Sequence, residues 1–205
     1  MAFQTYKETW HYVVRSHYTG RRKEYVPYYM LSELYQYLKE NQQHDILDIG
    51  CGENNLRLFF KNIVGVDHTI EADHWCWPGE EEWESLPKFK AGIAINSLHF
   101  GNITENVKKA LTKCDKLFIT MNENQDITEM KQQEYWQQFG NVEYFWNGQK
   151  METLPEIKEH LLQDQLYPFA FGTEDVDKHA KEVYNNFVQK DPYYGVIRVI
   201  VSHGE

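Results

Sequence analysis

An acidic residue, a glycine pair and a second acidic residue in the first third of the chain have the spacing of a ligand-binding turn. Asp48 stands two positions before Gly50, and Gly52 follows one position beyond the intervening cysteine. Glycine lets the backbone turn tightly and approach a ligand closely, as it does where a buried strand leads into a helix. Asp67 ends the next β-branched run, 15 residues after Gly52. A carboxylate in that position can accept hydrogen bonds from both hydroxyls of a ribose.

The elements that must position these residues are short apolar runs separated by helical patterns. Four such runs stand in the first 121 residues: Asp45–Ile49, Asn62–Asp67, Ala91–Asn96 and Lys116–Met121. Strands that alternate with helices predict a parallel, doubly wound sheet. Ligands of such sheets bind at the carboxyl ends of the strands, so we expect the glycine pair and Asp67 to meet at one edge.

The amino-terminal arm, residues 1–42, is polar and aromatic. Leu31, Leu34 and Leu38, together with Tyr35, recur at the spacing of one face of an amphipathic helix. We expect the arm to pack near the open edge of the sheet as a helical lid, and an arm that packs on a distal face or mediates dimerisation is the alternative.

The carboxyl-terminal third has a different pattern. Asn141–Trp146 is a strand or an extended lid segment, and Glu156–Leu166 is a predicted helix. Tyr167–Phe171 and Gly195–Val201 are strand-like, with a helical insertion at about 174–190 between them. Two late strands of this kind fit an antiparallel pair that closes one edge of the sheet.

The run Leu-Asp-Ile-Gly-Cys-Gly at 47–52 and the run Val-Gly-Val-Asp at 64–67 resemble the class I S-adenosylmethionine-dependent methyltransferases. The likeness covers 45–121 and the closing strand at 195–201. It implies an α/β, Rossmann-like, doubly wound and mostly parallel seven-stranded sheet, with an antiparallel C-terminal edge pair and an N-terminal helical lid. It also implies a single domain over 1–205, with the arm at 1–42 and the core, with its helical insertions, at 43–205.

The cofactor that the resemblance implies is S-adenosylmethionine, with S-adenosylhomocysteine as product. The residues that match the cofactor site of the family are Asp48, Gly50, Cys51, Gly52, Asn54, Asp67, His68, Asp73 and Asn96, joined by Tyr18 and Arg22 of the arm. Asp48 argues against a nicotinamide dehydrogenase, because a carboxylate beside the glycine turn would repel a pyrophosphate. An ammonium group and a sulfonium would be attracted there.

Two departures from the family pattern concern the turn and the segment after Asp67. Asn54 stands where the family has a third glycine, and Asn is the other residue that best tolerates a positive φ. The stretch between Asp67 and Ile93 is short, so we expect one helix to be lost or reduced there. Asp73 is the candidate to face the adenine, and Trp75 to cover its ring.

His99 is the candidate catalytic residue, as a general base or a substrate contact, because the end of the strand before it opens toward the transferred methyl group. A packed, hydrogen-bonded histidine is the alternative. Asp67 has the alternative role of a helix N-cap, and the glycine pair could serve only a tight turn. Arg22 lies in a basic cluster that either clamps the cofactor carboxylate or is simply solvated. The spacing of His68, Asp73, His74 and Cys76 matches no zinc pattern, so no metal is expected.

The composition argues against nucleic-acid and membrane partners. The chain carries 31 acidic and 21 basic residues, a formal charge of −10, which disfavours nucleic acid because phosphate neutralisation supplies most of that affinity. No apolar run approaches the roughly 18 residues of a membrane helix, and no signal peptide is visible. Three widely spaced cysteines fit reduced thiols, so we expect a cytoplasmic protein without a membrane partner.

The function predicted from these features is methyl transfer from S-adenosylmethionine to a small-molecule acceptor. Positions 96–99 read Asn-Ser-Leu-His and lack the Pro-Pro-aromatic run of enzymes that methylate the amino groups of bases. A non-catalytic S-adenosylmethionine-binding or regulatory protein, and an RNA or protein methyltransferase, are the alternatives. The acceptor and the oligomeric state stay open.

Overall fold

The computed structural model describes residues 31–52, 54–58, 60–95, 97–122, 129–146, 148–163, 176–189, 193–194 and 196–203. Several sequence predictions lie outside these ranges: Tyr18 and Arg22 with most of the expected lid, Asn96, and the strand at 167–171.

Six strands of the described chain form one mixed sheet in the order β2-β1-β3-β4-β8-β5. The strands are β1 (Ile46–Ile49), β2 (Ile63–Val66), β3 (Ala91–Ile95), β4 (Lys116–Asn122), β5 (Asn141–Trp146) and β8 (Val196–Ser202). The first four are mutually parallel, whereas β8 is antiparallel to both β4 and β5. The predicted mostly parallel sheet with an antiparallel terminal strand is confirmed. The edge partner of that strand is 141–146, whereas the partner predicted at 167–171 lies outside the described residues.

The helices are α1 (Leu31–Glu40), α2 (Glu81–Ser85), α3 (Ile103–Lys113), α4 (Gln133–Gln137), α5 (Leu154–Gln163) and α6 (Val176–Val183). A 3-10 helix covers Asn55–Leu58, and a π-helical turn, Tyr184–Val188, continues α6. Two short strands, β6 (Gln149–Lys150) and β7 (Tyr193–Tyr194), pair in a small second sheet. None of the described helices has the length and apolarity that a membrane span requires.

The core forms because alternate residues of each strand face opposite layers. Leu117 and Ile119 of β4 join the cluster built on α3, α4 and the fully buried Trp83 and Trp136. Phe118, between them, contacts Tyr37 of α1, with 4.9 Å between ring centroids. Helices therefore cover both faces of the sheet, as the doubly wound prediction requires.

The described residues contribute six strands to the sheet, and the predicted strand at 167–171, which would be the seventh, lies outside them. Between β2 and β3 the chain forms an isolated parallel bridge, Val66 to His74, and the five-residue helix α2. Each crossover between parallel strands needs a dozen or more residues, so this segment is too short for a further strand with two crossovers. The strand β2 is consequently the edge of the described sheet, and the expected loss of a helix in this segment is confirmed.

The helix expected after the glycine pair is shorter than the sequence pattern indicates. Only the 3-10 helix forms, and the backbone N–H of Ile63 already bonds to the carbonyl of Phe60, so the chain enters β2 at once. In α5, Ile157 and Leu161 are buried, whereas Leu162 is exposed.

Asn106 of α3 fastens the turn that follows β3. Its side-chain Nδ2 donates to the carbonyls of Leu98 and Phe100 at 2.9 and 2.8 Å. We predict that Asn106→Ala lowers the free energy of unfolding by about 1–3 kcal/mol, because two carbonyls lose their donor in a buried place. Urea denaturation measures the change, and Lys108→Ala on the exposed side of α3 is the control. Equal effects of the two substitutions would show that this amide does not hold the turn.

Candidate functional site

The glycine turn joins the end of β1 to the end of β2. The backbone N–H groups of Gly50 and Cys51 both donate to the carbonyl of Val66, at 2.8 and 3.2 Å. Gly50, Gly52 and Asn54 have φ values of +76°, +55° and +56°, in the left-handed region. The expectation that Asn54 adopts a positive φ in place of glycine is confirmed.

Gly50 also lies where β1, β3 and a tryptophan meet. A Cβ on this residue would stand 2.3 Å from the Cβ of Ser97 and 3.5 Å from the ring of Trp77. The Ser97 hydroxyl donates to the carbonyl of Ile49 at 2.5 Å, so the segments that follow β1 and β3 are joined directly. No other amino acid fits at position 50 without a shift of the chain after β3.

Asp67 lies beside the turn at the end of β2. Its Oδ2 accepts the backbone N–H of Gly52 at 2.8 Å, and its Oδ1 accepts the N–H of His68 at 2.6 Å. The hydroxyl of Thr69 donates to the carbonyl of Gly52 at 2.7 Å and closes the arrangement from the other side. Each carboxylate oxygen of Asp67 has a second lone pair, which can accept a hydroxyl of a ligand.

Asp48 lies behind the turn and is 6% exposed. Burial first, and the charge of Asp67 second, raise the pKa of its carboxyl to about 7. Both causes disfavour the charged form of this carboxyl. Burial, followed by Asp48 and Asp67, also raises the pKa of the Cys51 thiol, which therefore stays protonated. The site consequently has a negative potential that suits a cationic ligand.

Asp73 contacts the protein with both carboxylate oxygens. Its Oδ2 accepts the backbone N–H of Gly65 at 2.9 Å and the Nδ2 of Asn54 at 3.2 Å, and its Oδ1 forms an ion pair with Arg57. These contacts hold β2, the turn and the 3-10 helix together. They favour a structural role for this carboxylate, and its expected contact with adenine stays a prediction.

His68 belongs to a network on the open side of the site. Its Nε2 lies 3.0 Å from Oε2 of Glu80, and the same oxygen accepts the backbone N–H of Trp77 at 2.8 Å. The hydrogen bond with His68, and then that with Trp77, hold the pKa of Glu80 below its usual range. Glu80 thereby connects the residue after Asp67 with the tryptophan that contacts the glycine turn.

His99 lies in the turn after β3, two residues beyond Ser97, which brings it to the same edge of the sheet as the glycine pair. Its ring is 4.3 Å from that of Phe100, and the ring of Phe100 is 6.4 Å from that of Trp77. The structure thus brings together Asp48, Asp67, His68 and the turn near His99, as the sequence predicts.

Sequence reasoning missed Trp77, Glu80 and Ser97. The sequence indicated these residues only indirectly. Trp77 belongs to a polar and aromatic segment after Asp67, and Ser97 is a small residue that follows a strand.

Comparison with known proteins supports the fold. No family model matches the chain, and no curated protein sequence matches it. Among solved structures, the Thermoplasma acidophilum protein 1320 matches with a TM-score of 0.53 at 9% identity over 98% of each chain. YjhP of E. coli matches with a TM-score of 0.51 at 12% identity, covering 93% of this chain and 99% of YjhP. The MccD protein matches with a TM-score of 0.50 at 14% identity, covering 85% of this chain and 96% of MccD.

Matches with lower scores include structures that hold the expected cofactor or its product. One is a phosphoethanolamine N-methyltransferase of Haemonchus contortus in complex with S-adenosyl-L-methionine, with a TM-score of 0.44 at 15% identity over 78% of this chain and 49% of that one. Another is the N-terminal domain of EvdMO1 with S-adenosylhomocysteine bound, with a TM-score of 0.46 at 12% identity over 87% of this chain and 82% of that one. The chain therefore shares an α/β, Rossmann-like fold with the first three of these solved structures.

Gly50→Ala is predicted to destabilise the protein more than alanine at another glycine of positive φ. At Gly50 the new Cβ meets Ser97, whereas at Gly101, with a φ of +89°, it meets open space. The two substitutions share the backbone strain, and overpacking adds about 1–3 kcal/mol at position 50 alone. Thermal and urea unfolding measure the difference, and similar losses at both positions would contradict the contact with Ser97.

The raised pKa of Asp48 predicts that Asp48→Asn stabilises the ligand-free protein at alkaline pH. The folded pKa of about 7 lies above the usual value, so the contribution of this carboxyl to stability is complete below pH ~4 and is lost as the pH rises through 7. Asp48→Asn removes the charge, so it should raise the free energy of unfolding by on the order of 1–3 kcal/mol at pH 8 and by little at pH 4.5.

Urea denaturation at the two pH values measures this gain. Asp115→Asn is the matched control, because Asp115 is an exposed carboxylate that pairs with Lys90 at 3.7 Å. If Asp48→Asn raised the free energy of unfolding equally at pH 8 and pH 4.5, burial of a charged Asp48 would not be the cause.

Proposed function

We propose that the protein is an S-adenosylmethionine-dependent methyltransferase that acts on a small-molecule acceptor. One observation carries the proposal: a buried carboxylate, Asp48, lies behind a glycine turn whose mouth holds a second carboxylate, Asp67. Asp48 suits a ligand with a positive charge, and Asp67 suits a ligand with a ribose whose hydroxyls it can accept. S-adenosylmethionine has both, in its ammonium and sulfonium groups and its adenosine.

Nucleotides with phosphate groups fit the same turn poorly. Their anionic phosphates would approach Asp48 and Asp67, and at Gly52 the backbone N–H that could bind a phosphate already donates to Asp67. A glycine turn that binds phosphate leaves such N–H groups open to the ligand. The charge of the turn therefore favours a cationic cofactor over NAD or ATP.

The residues present fit the cofactor in separate roles. Asp67 would accept the ribose hydroxyls through its remaining lone pairs, and Asp48 would compensate the positive charge of the ligand through the turn. Gly50 and Gly52 would let the backbone approach the ligand. The roles expected for Tyr18, Arg22 and Asn96 stay predictions.

The bound cofactor supplies an activated methyl group on a sulfonium, so little covalent chemistry is required of the protein. The side chains of the site have to orient the acceptor and exclude water. His99, in the turn after β3, would accept a proton from an acceptor that is protonated at working pH. Trp77 and Phe100 would shield the reacting atoms from water.

A small acceptor agrees with the charge of the site better than a nucleic acid does. Asp67, Glu80 and Glu82 stand at the mouth, and the whole chain has a formal charge of −10. A phosphate backbone would be repelled on approach.

Binding of S-adenosylhomocysteine tests the proposal and the role of Asp67. Titration calorimetry should show binding of S-adenosylhomocysteine, and Asp67→Ala should weaken it by about 10- to 150-fold, the loss of two hydrogen bonds worth roughly 1.5–3 kcal/mol. Asp115→Asn should bind as the wild type does. Binding of NAD or ATP without binding of S-adenosylhomocysteine would refute the proposed cofactor, and an unchanged dissociation constant for Asp67→Ala would make Asp67 purely structural.

A further inference from the structure

Three aromatic side chains stand at the mouth of the candidate site, and we define Trp75, Trp77 and Phe100 as the aromatic rim. We propose that the aromatic rim, with the carboxylates beside it, binds the acceptor, and that the acceptor is an organic amine whose nitrogen receives the methyl group. The inference rests on the proposed function.

The rim exposes apolar surface where a folded protein ordinarily buries it. Trp75 is 65% exposed and Phe100 is 47% exposed. Trp77 is half-buried, with its ring against the position of a Gly50 Cβ at 3.5 Å and 6.4 Å from the ring of Phe100. The rim therefore reaches the glycine turn through Trp77, and an exposed apolar patch rimmed by polar residues is typical of a ligand-binding groove.

Carboxylates accompany the rim on the side of α2. Glu80 bonds to the backbone N–H of Trp77, and the Oε1 of Glu82 lies 3.6 Å from Nδ1 of His74, next to Trp75 in the chain. Burial first, and then the charges of Glu82 and Glu80, raise the pKa of the Cys76 thiol, which lies between the two tryptophans in the chain. Both carboxylates therefore act on the segment that carries the rim.

The described cations near the mouth are already engaged. Arg57 pairs with Asp73 below the turn, and the two histidines face Glu80 and Glu82. Within the described part of the chain, an anionic acceptor would thus meet carboxylates and no cation that is still available to pair with it. A cation would meet carboxylates and the electron-rich faces of indole rings, which attract it at close range.

Methyl transfer to an amine places positive charge where these groups stabilise it. The lone pair of the neutral amine forms an N–C bond to the methyl carbon, the C–S bond breaks, and its electron pair returns to sulfur. The sulfonium becomes a neutral thioether and the nitrogen becomes a cation, from which any remaining proton passes to water. The charge moves from the cofactor to the acceptor, so groups that attract a cation at the rim lower the barrier.

Choline and its uncharged isostere test the rim without knowledge of the natural acceptor. Choline carries a quaternary ammonium, 3,3-dimethyl-1-butanol has the same shape without charge, and 3,3-dimethylbutanoate is an anion of similar shape. Binding to the full-length protein is measured at pH 8, with and without S-adenosylhomocysteine, by calorimetry and ligand-observed NMR. We expect choline to bind about tenfold more tightly than the alcohol and the anion not to bind over the same concentrations.

Variants of the rim locate the binding. Trp75→Leu and Glu80→Gln should each lower the affinity for choline by about fivefold. Each variant should weaken the binding of choline by a larger factor than the binding of S-adenosylhomocysteine, because Glu80 also contacts His68 of the candidate cofactor site. Phe145→Leu is the matched control, because Phe145 is a partly exposed aromatic residue on the edge strand β5 and stacks with Arg198.

The outcomes separate the inference from the proposed function. Equal binding of the alcohol or the anion, or unchanged choline binding in both rim variants, overturns the amine acceptor while binding of S-adenosylhomocysteine upholds the cofactor. Absence of S-adenosylhomocysteine binding overturns the proposed function itself. Choline preference that depends on Trp75 and Glu80 supports the rim as the acceptor site.

Discussion

The carbonyl of Val66 accepts two backbone N–H groups, from Gly50 and Cys51, and the candidate site depends on this junction. It holds the loop after β1 against the end of β2, so that Asp67 reaches the N–H of Gly52. The close contact of Gly50 with Ser97 then brings the end of β3 to the same place. The ends of β1, β2 and β3 therefore meet at a turn in which position 50 has room only for glycine.

The shortened segment after β2 decides what stands around this turn. Where a further strand would extend the sheet, the chain makes one bridge at His74 and then enters α2. Trp75 and Trp77 lie between this bridge and α2, outside the strands of the described sheet, and Trp77 lies against the glycine turn. Their side chains therefore stand near the mouth of the site.

The electrostatics of the site oppose folding and favour binding. A buried Asp48 beside Asp67 keeps a raised pKa and a destabilising charge in the ligand-free protein. A cationic ligand would reverse both effects, since it compensates the charge that burial penalises. Functional sites commonly hold groups of this kind, which stability alone would not retain.

The sequence by itself determined the alternation of strands and helices, the glycine turn, the positions of the two carboxylates and the positive φ of Asn54. Local spacing and residue type dictate these features. The seventh strand that the sequence predicts at 167–171 lies outside the described residues. The helix after the turn is shorter than the sequence pattern indicates, because the chain enters β2 at once. Only the tertiary structure decided that Asp73 faces the protein and that Trp77 contacts the glycine turn. Those contacts join residues distant in the chain, and no local pattern encodes which side chains will meet when separate loops pack at one edge of a sheet.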